Sequence, residues 1–188
     1  MSGKSNRIKN MESIGNTINY LSIEGLPWVL LAWIGLIVFR PFATLVHEIG
    51  HLIPAIILTK KEVLIRVGQS GKSWQGKFSS ILWEISFLNG REGFTGYDKE
   101  SLSKLELIIV ISGGIISSLM MSIISGWQIF GNQSTTLAEV ILVSWFCANS
   151  LVFIRSLLPV RLKPTTTFPE GPPSDGLELK KLIFGKKR

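Results

Sequence analysis

Apolar residues in this chain fall into three long blocks, separated by polar stretches that carry lysine and arginine. The blocks cover residues 26–58, 105–127 and 137–158. Each is long enough to supply the roughly 20 apolar residues that an α-helix needs to cross the hydrocarbon core of a bilayer. The pattern therefore predicts a membrane α-helical fold with three core transmembrane helices.

The stretch between the first two blocks, residues 59–104, has a different pattern. Apolar and polar positions alternate at 63–67 and again at 81–87, and glycine-bearing turns follow both runs. This pattern favours short β-strands. We expect a small antiparallel sheet, or two hairpins, associated with the membrane surface, because the stretch is too short for a full core of its own. Ile85 and Phe87 are candidate substrate-binding residues, since an extended peptide can add to the edge of a strand.

The two ends of the chain are more polar. Residues 1–25 lack the apolar core and cleavage site of a signal peptide, and we expect a mobile tail or a short interfacial helix there. Prolines recur in residues 159–173, which predicts a stiff, extended segment. A short amphipathic helix is expected to follow Asp175, and residues 181–188 form a basic tail. Residues 26–180 are expected to form the core domain.

The distribution of positive charge bears on both partners and topology. The formal net charge is +7, but the basic residues flank the apolar blocks and form no continuous basic face, so we expect lipid contacts and no nucleic-acid binding. Residues 59–104 carry eight Lys and Arg, the segment from Arg155 onward carries eight, residues 128–136 carry none and residues 1–25 carry three. The positive-inside rule then places the N-terminus outside, and both the 59–104 loop and the C-terminus in the cytoplasm.

Inside the first apolar block lies an H-E-x-x-H sequence formed by His47, Glu48 and His51. The other charged residue of that block is Arg40. A charged side chain at the bilayer centre costs about 2.5–3.5 kcal/mol, so this cluster needs a compensating role. Residues four apart share a helix face, so both histidines can bind one metal ion, with Glu48 in reach of its water. A structural pairing of Glu48 with Arg40 is the alternative.

A zinc hydrolase needs three protein ligands and one open position. His47 and His51 are the only histidines, and the single cysteine, Cys147, lies in an apolar block, so the third ligand must be Asp or Glu. The candidates are Asp98, Glu170, Asp175 and Glu178. Asp175 could instead serve only as the N-cap of the helix that follows it.

Taken together, these motifs resemble the site-2 protease family of intramembrane zinc metalloproteases, over roughly residues 26–180. The resemblance rests on H-E-x-x-H in the first core helix, on the small residues Ser112-Gly113-Gly114 in the second span, and on Asp175-Gly176 after a proline-bearing loop. The family usually has Gly-Pro at the second motif. It also often has an asparagine near the end of the last core span, where this chain has Ser156, and the nearest asparagine is Asn149.

The resemblance implies that His47, His51 and Asp175 bind Zn²⁺ and that Glu48 is the catalytic residue. It also implies hydrolysis of a peptide bond in or near a transmembrane segment. Asn149 is a candidate for substrate binding, and a plain hydrogen bond between helices is the alternative for this residue. The expected partners are a membrane-protein or membrane-bound peptide substrate and the lipid bilayer. An oligomer or an accessory membrane subunit is a further expected partner, since three spans are few to close such a site.

Two alternatives stand beside this hypothesis. The first is a catalytically inactive, protease-like membrane protein that acts by partner binding in assembly or regulation. The second is a membrane zinc protease of the other H-E-x-x-H type, which takes a glutamate ligand from a later helix, here Glu178.

Overall fold

The computed structural model describes residues 23, 25–68, 73–86, 92–131, 136–164 and 169–185. Its helices are α1 (Leu26–Thr59), α2 (Lys104–Gly131), α3 (Thr136–Leu157) and α4 (Asp175–Phe184). Between α1 and α2 lie the strands β1 (Val63–Val67), β2 (Trp74–Phe78), β3 (Ile81–Ile85) and β4 (Gly93–Gly96), then a short 3-10 helix (Lys99–Ser101). The helical blocks begin and end within a few residues of their predicted bounds. The interfacial helix predicted within residues 1–22 lies outside the described residues.

Helices α1, α2 and α3 are long and apolar enough to cross a membrane, by length and composition. Many of their large apolar side chains are exposed on the outside of the bundle, among them Ile37, Ile57, Ile123 and Trp127. Such a surface is unfavourable in water and suits an apolar surrounding. Helix α1 continues without a break through Pro41 and Pro54.

The three long helices pack on each other through small residues. Gly50 of α1 faces Gly113 of α2 so closely that a Cβ at either position would overlap the backbone oxygen of the other. On the other side of α1, Gly35 lies against Ser144 of α3, whose hydroxyl oxygen is 3.1 Å from the backbone oxygen of Ala32. In helices that associate in lipid, small residues permit this close approach of backbones.

The strands form one four-stranded sheet in the order β2-β3-β1-β4. Strand β1 alternates as predicted, with Val63, Ile65 and Val67 buried, and the first two pack in one core cluster with residues of α1 and α2. The sheet is mixed, however, because β1 and β3 run parallel while the other pairs are antiparallel. The prediction of a purely antiparallel sheet was therefore wrong. Strand β2 is largely exposed and takes the outer place, while the more apolar β3 folds back beside β1.

Strand β3 lies inside the sheet, which bears on the predicted substrate edge. Ile85 is paired with Val67 of β1 on one side and with Trp74 of β2 on the other. Both edges of β3 are occupied, so a peptide cannot add to it, and that prediction was wrong for Ile85. Phe87 lies outside the described residues. In the described part of the sheet, the outer strands are β2 and β4.

Candidate metal centre

His47 and His51 lie one turn apart on the buried face of α1, with their Nε2 atoms 3.1 Å apart. Helix α2 contacts the Nδ1 side of both rings, opposite the two Nε2 atoms. His51 Nδ1 donates to the backbone oxygen of Val110 at 2.8 Å, and His47 Nδ1 lies 3.0 Å from Ser118 Oγ. A carbonyl oxygen only accepts, so the neutral His51 ring carries its proton on Nδ1 and turns the lone pair of Nε2 toward the centre. Partners of this kind fix the orientation of metal-binding histidines.

Asp175, at the first position of α4, completes the group from far along the chain. Its Oδ2 lies 2.9 Å from His47 Nε2 and 3.5 Å from His51 Nε2. Burial raises the pKa of the Asp175 carboxyl, but the adjoining histidines outweigh burial and hold that pKa below its usual range. The group is therefore a carboxylate at neutral pH, and it faces two ring nitrogens.

The three facing atoms form a triangle with sides of 2.9, 3.1 and 3.5 Å. A tetrahedral metal ion with bonds of about 2.1 Å separates its ligands by about 3.4 Å. His47, His51 and Asp175 thus lie close enough to bind one metal ion. A cation at this position would also balance the electron-rich atoms that converge there.

The other carboxylates considered as the third ligand have different partners. Each of these three carboxylates forms an ion pair: Asp98 with Lys61, Glu170 with Arg161, and Glu178 with Lys99. Glu178 lies one turn beyond Asp175, and both of its oxygens accept from Lys99 Nζ, at 2.9 and 3.0 Å. Within the described residues, the group that could hold a metal includes Asp175 and none of these three.

The segment before α4 sets the position of Asp175. The N-cap of α4 is Ser174, whose hydroxyl accepts from the backbone N–H of Leu177 at 3.2 Å. The alternative in which Asp175 is that cap is therefore wrong, and its carboxylate is available to the histidines. Gly176 lies directly against the backbone oxygen of Leu157, where a side chain would overlap α3. Glycine at this position lets α4 approach the end of α3 closely.

A patch of small residues on α2 packs against the histidine helix. Gly114 lies against the ring of His51, and Ser118 contacts His47 as described above. Between them, Ser117 Oγ lies 3.1 Å from the backbone oxygen of Val46. The patch therefore both packs the two helices together and supports the two rings.

Glu48 is buried beside the histidines, with 5% of its surface exposed. Thr95 of β4 donates its hydroxyl to Glu48 Oε2 at 2.6 Å. The alternative partner, Arg40, lies about 12 Å away along the helix axis, at about 1.5 Å per residue. Sequence reasoning missed Thr95 as a partner of Glu48. Nothing in the spacing of the two residues indicates that the strand returns to α1.

A cavity of about 300 Å³ opens beside this group, and His47, Glu48, His51 and Asp175 all contribute to its wall. Strand β4 supplies another part of the wall, through Gly93, Phe94 and Thr95. The two described candidates for substrate binding, Asn149 and Ile85, are not among the lining residues of this cavity. Asn149 is fully buried, and its side-chain nitrogen donates to the backbone oxygen of Trp145 at 2.9 Å.

Comparison of the chain with protein-family models, with curated proteins and with solved structures gives no match.

Proposed function

We propose that this chain is an intramembrane zinc metalloendopeptidase of the site-2 protease type, which hydrolyses a peptide bond in or near a transmembrane segment. The observation that carries the proposal is the convergence of His47, His51 and Asp175 on one point, with the buried carboxylate of Glu48 in the wall of the same cavity. The exposed apolar surface of the three long helices supports the membrane setting.

Zinc is the ion that suits these donors. Two imidazole nitrogens and one carboxylate oxygen form a ligand set of the kind found in catalytic zinc sites, which keep a fourth position open. When bound, zinc polarises a carbonyl group and lowers the pKa of a water molecule to about 7. Val110 and Ser118 would keep the two rings oriented toward the ion, as the partners of ligating histidines do.

Glu48 is the residue that moves protons in this mechanism. A water O–H bond breaks and its proton passes to the carboxylate, while the water oxygen bonds to the carbonyl carbon of the scissile peptide. As the C–N bond breaks, the same proton passes from Glu48 to the leaving nitrogen. The carboxylate returns to its starting state, so the net reaction consumes one peptide bond and one water.

The substrate must be extended at the cleaved bond, because the peptide groups of a helix are shielded by their own hydrogen bonds. Strand β4 pairs with β1 along one side and lines the cavity. An unwound substrate segment could therefore add along its outer side, next to Glu48. This assigns to β4 the role that sequence reasoning gave to the strand containing Ile85.

The test is cleavage by zinc-loaded protein in detergent, with Glu48→Gln as the matched variant. The probe is a pool of quenched-fluorescent peptides with lysine-flanked apolar cores of about 20 residues. We expect the wild type to cleave, and Glu48→Gln to bind zinc normally but lose at least about 100-fold in rate. Equal cleavage by both proteins would refute the mechanism. A zinc-loaded wild type that cleaves no peptide would favour the inactive, partner-binding alternative.

A further inference from the structure

Strand β4 contacts both oxygens of the Glu48 carboxylate. Thr95 Oγ1 lies 2.6 Å from Oε2 and 3.3 Å from the backbone oxygen of Glu48. A hydroxyl has one proton to donate, and the shorter distance assigns it to the carboxylate. Gly93, two residues earlier and thus on the same face of the strand, lies against the other oxygen. A Cβ at position 93 would overlap Oε1.

We propose that β4 gives the two oxygens of Glu48 different tasks, an inference that rests on the proposed function. Oε2 accepts the hydroxyl of Thr95, which fixes the plane and direction of the carboxylate. Oε1 keeps its position because no side chain at position 93 displaces it, and this oxygen exchanges the proton with water and with the leaving nitrogen. Thr95 is then a positioning residue, and Gly93 leaves the space that the reactive oxygen occupies.

The contact from Thr95 matters because a general base works only when its carboxylate is held in the right place. A general base must lie within about 2.6–3.2 Å of the proton it takes, and a displacement of about 1 Å can cost about 100-fold in rate. A glutamate side chain can rotate about several bonds, so α1 alone does not fix its carboxylate. Thr95 and Gly93 both line the cavity, so they hold Glu48 at the surface where substrate would arrive.

The first test compares Thr95→Val, which removes the hydroxyl at similar volume, with Thr95→Ser, which keeps it. With the peptide pool described above, we expect Thr95→Val to lower kcat about 10- to 100-fold, the effect of one hydrogen bond to a charged group. We expect KM and bound zinc per chain to stay unchanged, and Thr95→Ser to restore most of kcat. The control is Thr59→Val, since that buried hydroxyl donates to Ala55 of its own helix.

The second test adds a methyl group over Oε1. We expect Gly93→Ala to lower kcat about 100-fold by displacing the carboxylate. Gly126→Ala on α2 is the control, because its added methyl meets the Phe146 ring at an ordinary 3.4 Å and position 126 does not line the cavity. We expect the control to keep its kcat and its zinc.

The outcomes separate this inference from the function on which it rests. A wild type that cleaves, beside a Thr95→Val variant that is equally fast, overturns the role of Thr95 alone. Loss of zinc together with activity in Thr95→Val also overturns it, because the strand would then support the fold and not the carboxylate. A zinc-loaded wild type that cleaves nothing overturns the proposed function. The inference about the two oxygens of Glu48 is then overturned as well, because it rests on that function.

Discussion

Gly114 lies directly against the imidazole ring of His51. The three atoms nearest to a Cβ at position 114 all belong to that ring, and Nε2 is the nearest of them. The space that a side chain would occupy on α2 is therefore filled by a candidate metal ligand on α1. The absence of a side chain at this position serves the site as well as the packing of the two helices.

Replacement of Gly114 by Ala should weaken metal binding, because the added methyl pushes His51 away from His47. We expect a loss of roughly 10- to 100-fold in zinc affinity, the range seen when a neighbour that supports a ligand is altered. The measurement is competition with a chelator of known affinity. Gly126→Ala on the same helix is the control, since its methyl would meet the Phe146 ring at an ordinary 3.4 Å.

Alanine favours a helix by about 1 kcal/mol over glycine, so helix propensity cannot explain a loss in Gly114→Ala. Unchanged zinc affinity in that variant would show that the His51 ring can shift without weakening zinc binding. That result would contradict the role given to position 114.

Replacement of Asp175 by Ala should remove the third ligand. We expect zinc affinity to fall by more than the roughly 10- to 100-fold attributed to supporting neighbours. Glu178→Ala, one turn further along α4, removes a carboxylate that is bound to Lys99 and should leave zinc affinity unchanged. The reverse result, with Glu178→Ala losing zinc and Asp175→Ala keeping it, would favour the other type of membrane zinc protease.

Ser118 should support zinc binding through the ring of His47. Its replacement by Ala removes the hydroxyl that lies 3.0 Å from Nδ1, and we expect zinc to bind about 10- to 100-fold more weakly. Ser125→Ala is the control, because that buried hydroxyl donates to the backbone oxygen of Met121 in its own helix. Equal zinc affinity in both variants would limit Ser118 to a packing role.

Removal of the metal should lower thermal stability in detergent. An ion present at about 1,000 times its Kd stabilises the folded state by about 4 kcal/mol, provided that it does not bind the unfolded chain. A chelator should therefore lower the Tm of the wild type, and added zinc should restore it. Asp175→Ala should show little response to either treatment, and an equal response in both proteins would point to a different binding site.

The sequence predicted those features that depend on local pattern. The length of the apolar blocks located the three long helices, and the four-residue spacing of His47 and His51 placed both on one helix face. Alternation likewise identified the buried face of β1, because residues two apart in a strand point to the same face.

Features that depend on distant contacts were harder to predict. The parallel pairing of β1 with β3 requires a crossover that no local pattern specifies. The hydrogen bond from Thr95 to Glu48 joins residues 47 positions apart, and Thr95 has nothing in its own neighbourhood that marks it. Asp175 was one of four open candidates, and family resemblance selected it. Its neighbour Ser174 proved to be the helix cap, a role for which either residue type is suited.

The separation of 128 positions between His47 and Asp175 also has a consequence for biosynthesis. Both histidines leave the ribosome with the first apolar helix, but the third ligand follows only after α2 and α3 have been made. A nascent chain therefore cannot assemble the full ligand set while its later helices are still being translated. Under the proposed function, acquisition of the metal would then mark the completion of the bundle, and a partly synthesised chain would not yet be able to hydrolyse a peptide bond.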